Sequence, residues 1–504
     1  MRTRGAIKRG ASRVALGIGL ALFMTQPSIS ATTAQPSAAE VNAREADGST
    51  PLLRAAYQGD AARAAELIKA GADVQAGNRY GATPMSEAAR RGDTEILRLL
   101  LKAGADPESP NAEGQTSLMA VARTGNIEAA QLLLQHGARI DAREKWGGQT
   151  ALIWAAAQSQ PAMVHFLLSK HADPNARGVV RDWQRRVTAE GRPKNMNRGG
   201  FTPLLYAARE GCVDCVRELL KGKADINLVD PDETTPLVLT LMNGHWDTAQ
   251  LLIESGADVN AWDFWGRTAL FNAVDMTTLP AGAHIELPSL DKAVGTDIVK
   301  LLLAKGANPN AQLKLRPPYR QGVFDRGADG ALITGATPLM RAAVAADVES
   351  ITLLLAKGAL VDLPNEEGVT PFIAAVSAAG TRGKLKTEEQ AVAALKLLKD
   401  AGANVNASDH RKYSAAHAAA FRGWHKVLAY LAECHADLDA QEADNLTPLD
   451  YAMGRSRVGF LQNKPPVRTD TAAVLRQLGA KVENPNTPAW PGVATPKLSA
   501  NVPE

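Results

Sequence analysis

Apolar residues along most of this chain fall in pairs of short clusters separated by polar turns, not in long runs. The first cluster of each pair opens on a hydroxyl residue. Examples are "TPLLRAAYQGD" at Thr50, "TPMSEAARRGD" at Thr83, "TPLLYAAREGC" at Thr202, "TPLVLTLMNGH" at Thr235 and "TPLMRAAVAAD" at Thr337. The second cluster is leucine-rich and closes on a Gly-Ala-Asp-like triplet, as in "LLLKAGADP" or "LLIESGADVN". A Thr hydroxyl suits a helix N-cap, and Pro suits the first helical position, where no amide bond is lost. The first cluster therefore predicts a short helix with Leu and paired Ala on its apolar face, and the second predicts another. Gly71, Gly104, Gly137, Gly256, Gly306, Gly358, Gly402 and Gly479 stand where that second helix must end in a left-handed cap. His171, Lys223 and His435 hold the same position, and His is among the residues enriched at positive φ. The stretch before the next Thr, as in "DVNAWDFWGR", turns back and predicts a short extended finger.

The unit repeats. Taking the residue before the first helix as marker gives positions 50, 83, 116, 150, 202, 235, 268, 337, 370, 414 and 447, eleven copies mostly 33 or 34 apart. The pattern "TPLxxAAxxG…LLLxxGADVNA" resembles the ankyrin repeat over residues 47–482. The histidine of that family's TPLH motif survives only as His417, in "SAAHAAAFRG". The resemblance implies an all-α, right-handed ankyrin-repeat solenoid with short β-hairpin fingers and a concave, finger-lined face that binds other proteins. One repeat cannot bury its own face, so neighbours and caps share the stability.

Departures from the period mark insertions. Marker to cap is normally 21 residues and cap to next marker 12, but His171 to Thr202 and Gly306 to Thr337 are each 31, placing equal insertions in two fingers. Thr268 to Gly306 and Thr370 to Gly402 are expanded between helices instead, and the last copy is lengthened too. The expected organisation is a signal peptide at 1–31, a linker at 32–46 and the array at 47–482, with insertions near 178–199, 276–294, 312–334, 378–389 and 456–470. A Pro-rich tail follows at 483–504.

The address is read from the N-terminus. Arg2, Arg4, Lys8, Arg9 and Arg13 precede the apolar run "VALGIGLALFM", and "TQPSISATTA" follows with small residues near Ser30 and Ala31. That order is the signature of a secretory signal peptide, and roughly a dozen apolar residues fall short of the ~20 that span a bilayer. Export to a bacterial periplasm, or secretion, is the expectation, with no transmembrane segment left after cleavage. Removing the five basic residues of that segment turns the formal charge of +3 into about −2. No case for nucleic acid as a partner remains.

The dipeptide spacing in "GCVDCV" (211–216) invites redox or metal readings. In register, Gly211 is the turn between helices, Cys212 opens the second helix and Cys215 takes the place held by Ile96 in "GDTEILRLL". The thioredoxin context is lacking, Val216 stands where a c-type haem site needs His, and Cys434 lies five copies away. Cys215 reads as a small core residue. An oxidising compartment also allows a local Cys212–Cys215 disulfide.

No H-E-x-x-H, G-x-S-x-G or phosphate-cradling glycine loop appears, so the chain reads as non-enzymatic, without metal or cofactor. Aromatic and basic residues gather instead around the finger insertions. "RDWQRRVTAEGRPKN" carries Trp183 with Arg181, Arg185, Arg186, Arg192 and Lys194, and "LKLRPPYRQGVFDR" carries Arg316, Tyr319, Arg320 and Phe324. Between them "AWDFWGR" supplies Trp262, Phe264 and Trp265. Local packing of long loops would account for such aromatics, yet Trp, Tyr and Arg also dominate interface hot spots. The expectation is a monomeric protein–protein interaction scaffold of the bacterial envelope. Trp183, Arg185, Arg186, Trp262, Phe264, Trp265, Arg316, Tyr319, Arg320 and Phe324 would contact a protein partner, and an acidic one fits their charge. The alternative is a ligand-binding or enzymatic site built by the finger insertions between repeats 4–5 and 7–8.

Overall fold

The computed structural model describes residues 38–183, 186–187, 194–195, 198–278, 291–317, 331–377, 386–455 and 467–484. The expected signal peptide, most of the Pro-rich tail and the middles of the insertions lie outside those residues.

Each marker residue is a helix N-cap, and eleven helix pairs follow among the described residues, from Pro51–Gln58 with Ala61–Lys69 to Pro448–Ala452 with Thr469–Gln477. At ten markers the hydroxyl accepts the N–H three residues on, at 3.1–3.5 Å. This satisfies one of the donors that a helix start leaves without a partner. At Ser414 the buried His417 takes over: its Nδ1 accepts the Ser414 N–H at 3.2 Å and its Nε2 donates to the Leu446 carbonyl at 3.1 Å. Burial pushes the His417 pKa down to about 4, which keeps the ring neutral and able to play both roles.

The second helices end in left-handed turns. All eight glycines at the cap position, together with His171, Lys223 and His435, have φ between 59° and 102°. The site is open, since nothing lies within 4 Å of the position a Cβ would take on Gly71, Gly104 or Gly256, so a side chain there meets no neighbour and bears only the backbone cost of positive φ.

First helices pack on the first helices before and after them, and second helices do likewise, so two parallel stacks run without a break from Pro51 to Gln477. The insertions leave this order intact: Ala151–Ala157 packs on Pro203–Glu210, and Ala269–Thr277 on Pro338–Ala345. The main core is one continuous cluster, from Val41 to Ala480. A side-chain ladder joins each unit to the next just beyond the caps. Asn42, Asn175, Asn227, Asn260, Asn310 and Asn406 each accept a backbone N–H of the following unit at 2.7–3.0 Å. Asp141, Asp362 and Asp439 do the same elsewhere.

The fingers differ from expectation. Outside the first insertion they contain isolated bridges, Trp262 with Thr268 and Ser408 with Ser414, and no strand pairs among the described residues. In six fingers a side chain closes the turn instead. Asn78, Asn111, Asp230, Asp263, Asn365 and Asp409 each accept the N–H groups two and four residues on, at 2.8–3.1 Å. With that local closure the finger needs no ladder of its own. Successive fingers are tied by single backbone bonds, such as Arg79 N–H to Asp47 at 2.9 Å and His410 N–H to Glu367 at 2.8 Å.

Candidate functional site

The first finger insertion starts as an antiparallel extension of its own finger. Gly178 N–H donates to Phe201 at 3.1 Å, Gly200 N–H to Val179 at 3.0 Å and Arg181 N–H to Arg198 at 2.7 Å. Further out Arg186–Val187 pairs with Lys194–Asn195. The base of this hairpin hangs on the preceding finger through Val179 N–H to Gly147, at 2.7 Å. Gly199 has φ +75°, and a Cβ there would sit 2.5 Å from the Val179 carbonyl oxygen, so the approach of the two strands demands glycine.

Beneath the hairpin lies a small satellite core. Phe201, Leu205 and Leu239 are buried together with Tyr206 packed against them, apart from the main core. The Phe201 and Tyr206 rings meet edge to face at 5.3 Å, and Gln149 Nε2 donates to the Tyr206 hydroxyl at 2.6 Å. Burial raises the Tyr206 pKa, with Arg209 opposing it.

Hairpin, preceding finger and helix Pro203–Glu210 together enclose a pocket of about 340 Å³. Its side-chain walls are Arg181, Trp183, Phe201, Tyr206 and Arg209, and much of the rest is the backbone of Gly147, Gly178, Gly199 and Gly200. Both arginines lie over aromatic faces: Arg181 over Trp183 at 4.6 Å, and Arg209 over Tyr206 at 4.8 Å. Arg209 is also ion-paired to Glu210 at 2.7 Å. Trp183 remains 43% exposed.

A second cluster stands where the other finger insertion begins. Trp262 is 49% exposed and lies under the Lys314 ammonium at 4.1 Å. Trp265 is only 8% exposed, and its carbonyl accepts the N–H groups of Lys314 and Leu315 at 2.9 and 3.2 Å. Asp263 and Arg267 form a buried pair at 2.6 Å beneath it. Burial pushes the Asp263 pKa up while Arg267 pulls it back. Trp265, expected from the sequence to contact a partner, is buried against Arg267 and Phe264, where the start of the insertion bonds to its carbonyl. The insertion ends reach a satellite core of their own, with Leu313, Leu332 and Phe271 among its members.

Of the other sequence-derived candidates, Arg316 is exposed and Phe264 half-buried. The side chains of Arg185 and Arg186, and all of Tyr319, Arg320 and Phe324, lie outside the described residues. The finger of residues 229–234 stands between the two clusters: Arg177 donates to Val229 at 2.6 Å, and Phe264 N–H to Asp232 at 2.9 Å. Phe201, Tyr206, Arg209 and Gln149 were missed in the sequence because they sit inside the repeat signature. Position four after the marker held the signal. It varies freely (Arg54, Glu87, Ala120, Trp154, Tyr206), as a residue outside the shared core does.

Cys212 caps Val213–Lys221 in the place that Asp60 and Asp93 hold in their units, and Cys215 N–H points to its sulfur at 3.2 Å. The two sulfurs are joined as a disulfide across the first helical turn, with Cys215 fully buried. Cys434 is free and half-buried.

Stacked helix pairs, left-handed caps and turn-closed fingers define a helical repeat protein. Family models agree: the model "Ankyrin repeats (3 copies)" matches residues 28–111, 87–178 and 204–313, and "Ankyrin repeat" matches 334–366. The chain belongs to the ankyrin-repeat family. It is 29% identical over 274 residues to the mouse B-cell lymphoma 3 protein homolog, a match covering 53% of this chain and 52% of that protein. It is 44% identical over 69 residues to the human ankyrin repeat domain-containing protein 49, covering 14% of this chain and 29% of that one. A crystal structure of the ankyrin repeat domain of Bcl-3 aligns with 44% of this chain and 93% of its own length, at 25% identity and a TM-score of 0.37. This chain thus spans about half, or less, of the two relatives' length. Among the described residues no helix is long and apolar enough to cross a membrane.

Proposed function

We propose that this chain is a non-enzymatic protein–protein interaction scaffold of the bacterial envelope, an array of eleven ankyrin units that engages its partner through the finger side around the first insertion. The observation that carries this reading is the pocket under the hairpin. The insertion leaves the helix stacks undisturbed and adds a lined recess with exposed Trp183 at its mouth. A loop that the stacks do not use, furnished with Trp and Arg, has the composition of a binding hot spot. Export follows from the charged and apolar order of residues 2–24, and the mature chain is expected to begin near Ala31 or Thr32.

The experiment replaces residues 178–199 with the three-residue turn Asn-Ala-Glu that stands at 111–113, which restores the ordinary finger length. Melting and partner capture from an envelope extract are then compared at two salt concentrations. The stacks should melt as before, while captured partner falls tenfold or more, about 1.4 kcal/mol. Capture by the intact protein should weaken as salt rises. Normal capture by the folded variant would move the binding surface elsewhere.

A further inference from the structure

The pocket's charges say more than that something binds there. Arg181 has no carboxylate partner among the described residues; its guanidinium lies on Trp183 and reaches only the Trp146 carbonyl, at 3.4 Å. Arg209 is already compensated by Glu210. Behind one wall the Glu144 carboxylate holds the Gly147 N–H at 2.6 Å. Arg181 is therefore the one cation of the pocket lining that has no carboxylate partner among the described residues, which matches a single negative charge. Next to the lining residues, Arg143, Arg177 and Arg198 donate to backbone carbonyls and, among the described residues, not to carboxylates, which adds positive charge near the pocket.

The shape agrees with the charge. A volume near 340 Å³ stands at the lower end for ligand pockets, room for a side chain and its carboxylate. Four of the lining residues are glycines, which put no side chain into the space, and the aromatic rings of Phe201 and Tyr206 can cover methylene groups. An arginine whose guanidinium sits over an aromatic ring keeps its N–H groups for a carboxylate, which it can pair through two parallel bonds.

Resting on the scaffold reading above, we propose that this pocket receives one carboxylate side chain, Glu or Asp, from an acidic segment of the protein partner, with Arg181 as the pairing group. Trp183 positions Arg181, and Arg209 with Tyr206 forms the opposite wall.

The test uses the full mature chain and fluorescence anisotropy of a labelled (Gly-Glu)4 peptide, with (Gly-Gln)4 as its uncharged counterpart. The Glu peptide should bind at least tenfold more tightly than the Gln peptide. Arg181→Ala should remove that preference, whereas Arg98→Ala, on the helix Thr94–Lys102, should leave it unchanged. Arg181→Gln, closer in shape, is the second variant, and melting curves accompany both. Undiminished peptide binding by a folded Arg181 variant would overturn the proposal. A second arm needs no variant: acetate and inorganic phosphate compete against the peptide at matched ionic strength. Acetate should displace at least as well as phosphate; stronger displacement by phosphate would reassign the pocket to phosphoryl groups. The scaffold reading fails separately. Loss of partner capture on loop replacement with unchanged capture by Arg181→Ala keeps the scaffold and rejects the carboxylate. Tight Glu-peptide binding by a chain that captures no partner does the reverse.

Discussion

Asp230 shows how one residue type can serve a repeat and still cost it. Five residues before the marker, several units carry Asn (Asn78, Asn111, Asn365), whose side-chain oxygen closes the finger turn without a charge. Asp230 makes the same two bonds, at 2.9 Å each, but as a half-buried carboxylate. Burial, with Asp232 nearby, pushes its pKa up to about 6 against the opposing backbone bond from Thr234. The folded pKa lies above the unfolded one, so the protonated form favours folding. That contribution is complete below about pH 3.8 and is lost as pH rises through about 6. Asp230→Asn should therefore stabilise the protein at pH 7.5 by up to about 3 kcal/mol, and by less at pH 4.5. Urea denaturation midpoints of both proteins at the two pH values decide it; an equal difference at both would deny the titration. The cysteines carry a related lesson. Cys212 occupies a capping position that Asp fills elsewhere, so its first task is the helix start, and the disulfide to Cys215 is local to that turn.

Among the elements, the asparagine ladder beyond the caps is the clearest joint between units. Asn227 accepts the Asp258 N–H at 3.0 Å, on an exposed edge where water can replace it. Asn227→Ala should cost about 0.5–1.5 kcal/mol. It should also speed hydrogen exchange at Asp258, whereas Asn227→Asp, the residue type used at Asp141 and Asp362, should restore most of both. An Asp258 amide that exchanges identically in all three proteins would remove the ladder from the account of cohesion. The finger insertions are elements of another kind. Their ends are structural: Phe201 on one side, Leu313 and Leu332 on the other, each in a satellite core on the finger side. Trp265 is buried against Arg267 and Phe264 and Trp183 lines a pocket, although both look alike in sequence.

For the whole molecule, two unbroken stacks mean that each unit is held mainly by its neighbours. Position along the array should then matter more than burial. Leu252 and Leu475 are both fully buried on second helices, one mid-array and one in the last described unit. Leu252→Ala should lower the main unfolding transition by about 2–5 kcal/mol. Leu475→Ala, with a neighbour on one side only, should leave the main transition in place and add a smaller one at lower temperature. Calorimetry distinguishes the two patterns, and identical downward shifts would show that the array unfolds as one body.

The sequence by itself determined what is local and repeated. Thr at the marker, Pro after it, Gly at the cap and leucines between are each selected by short-range backbone needs, so helix starts and left-handed caps could be read directly. His171, Lys223 and His435 were legible as caps because their register was fixed by the copies around them. The tertiary structure alone decided the finger geometry, where side chains of Asn and Asp close turns that the pattern had suggested were strands. It alone also decided the site. Trp265 is buried and Trp183 is not, because Lys314 and Leu315 return onto the Trp265 carbonyl from fifty residues away in the chain order. Gln149, Arg181 and Tyr206 meet because stacking brings adjacent units together across an insertion, a long-range contact that no single repeat's pattern encodes.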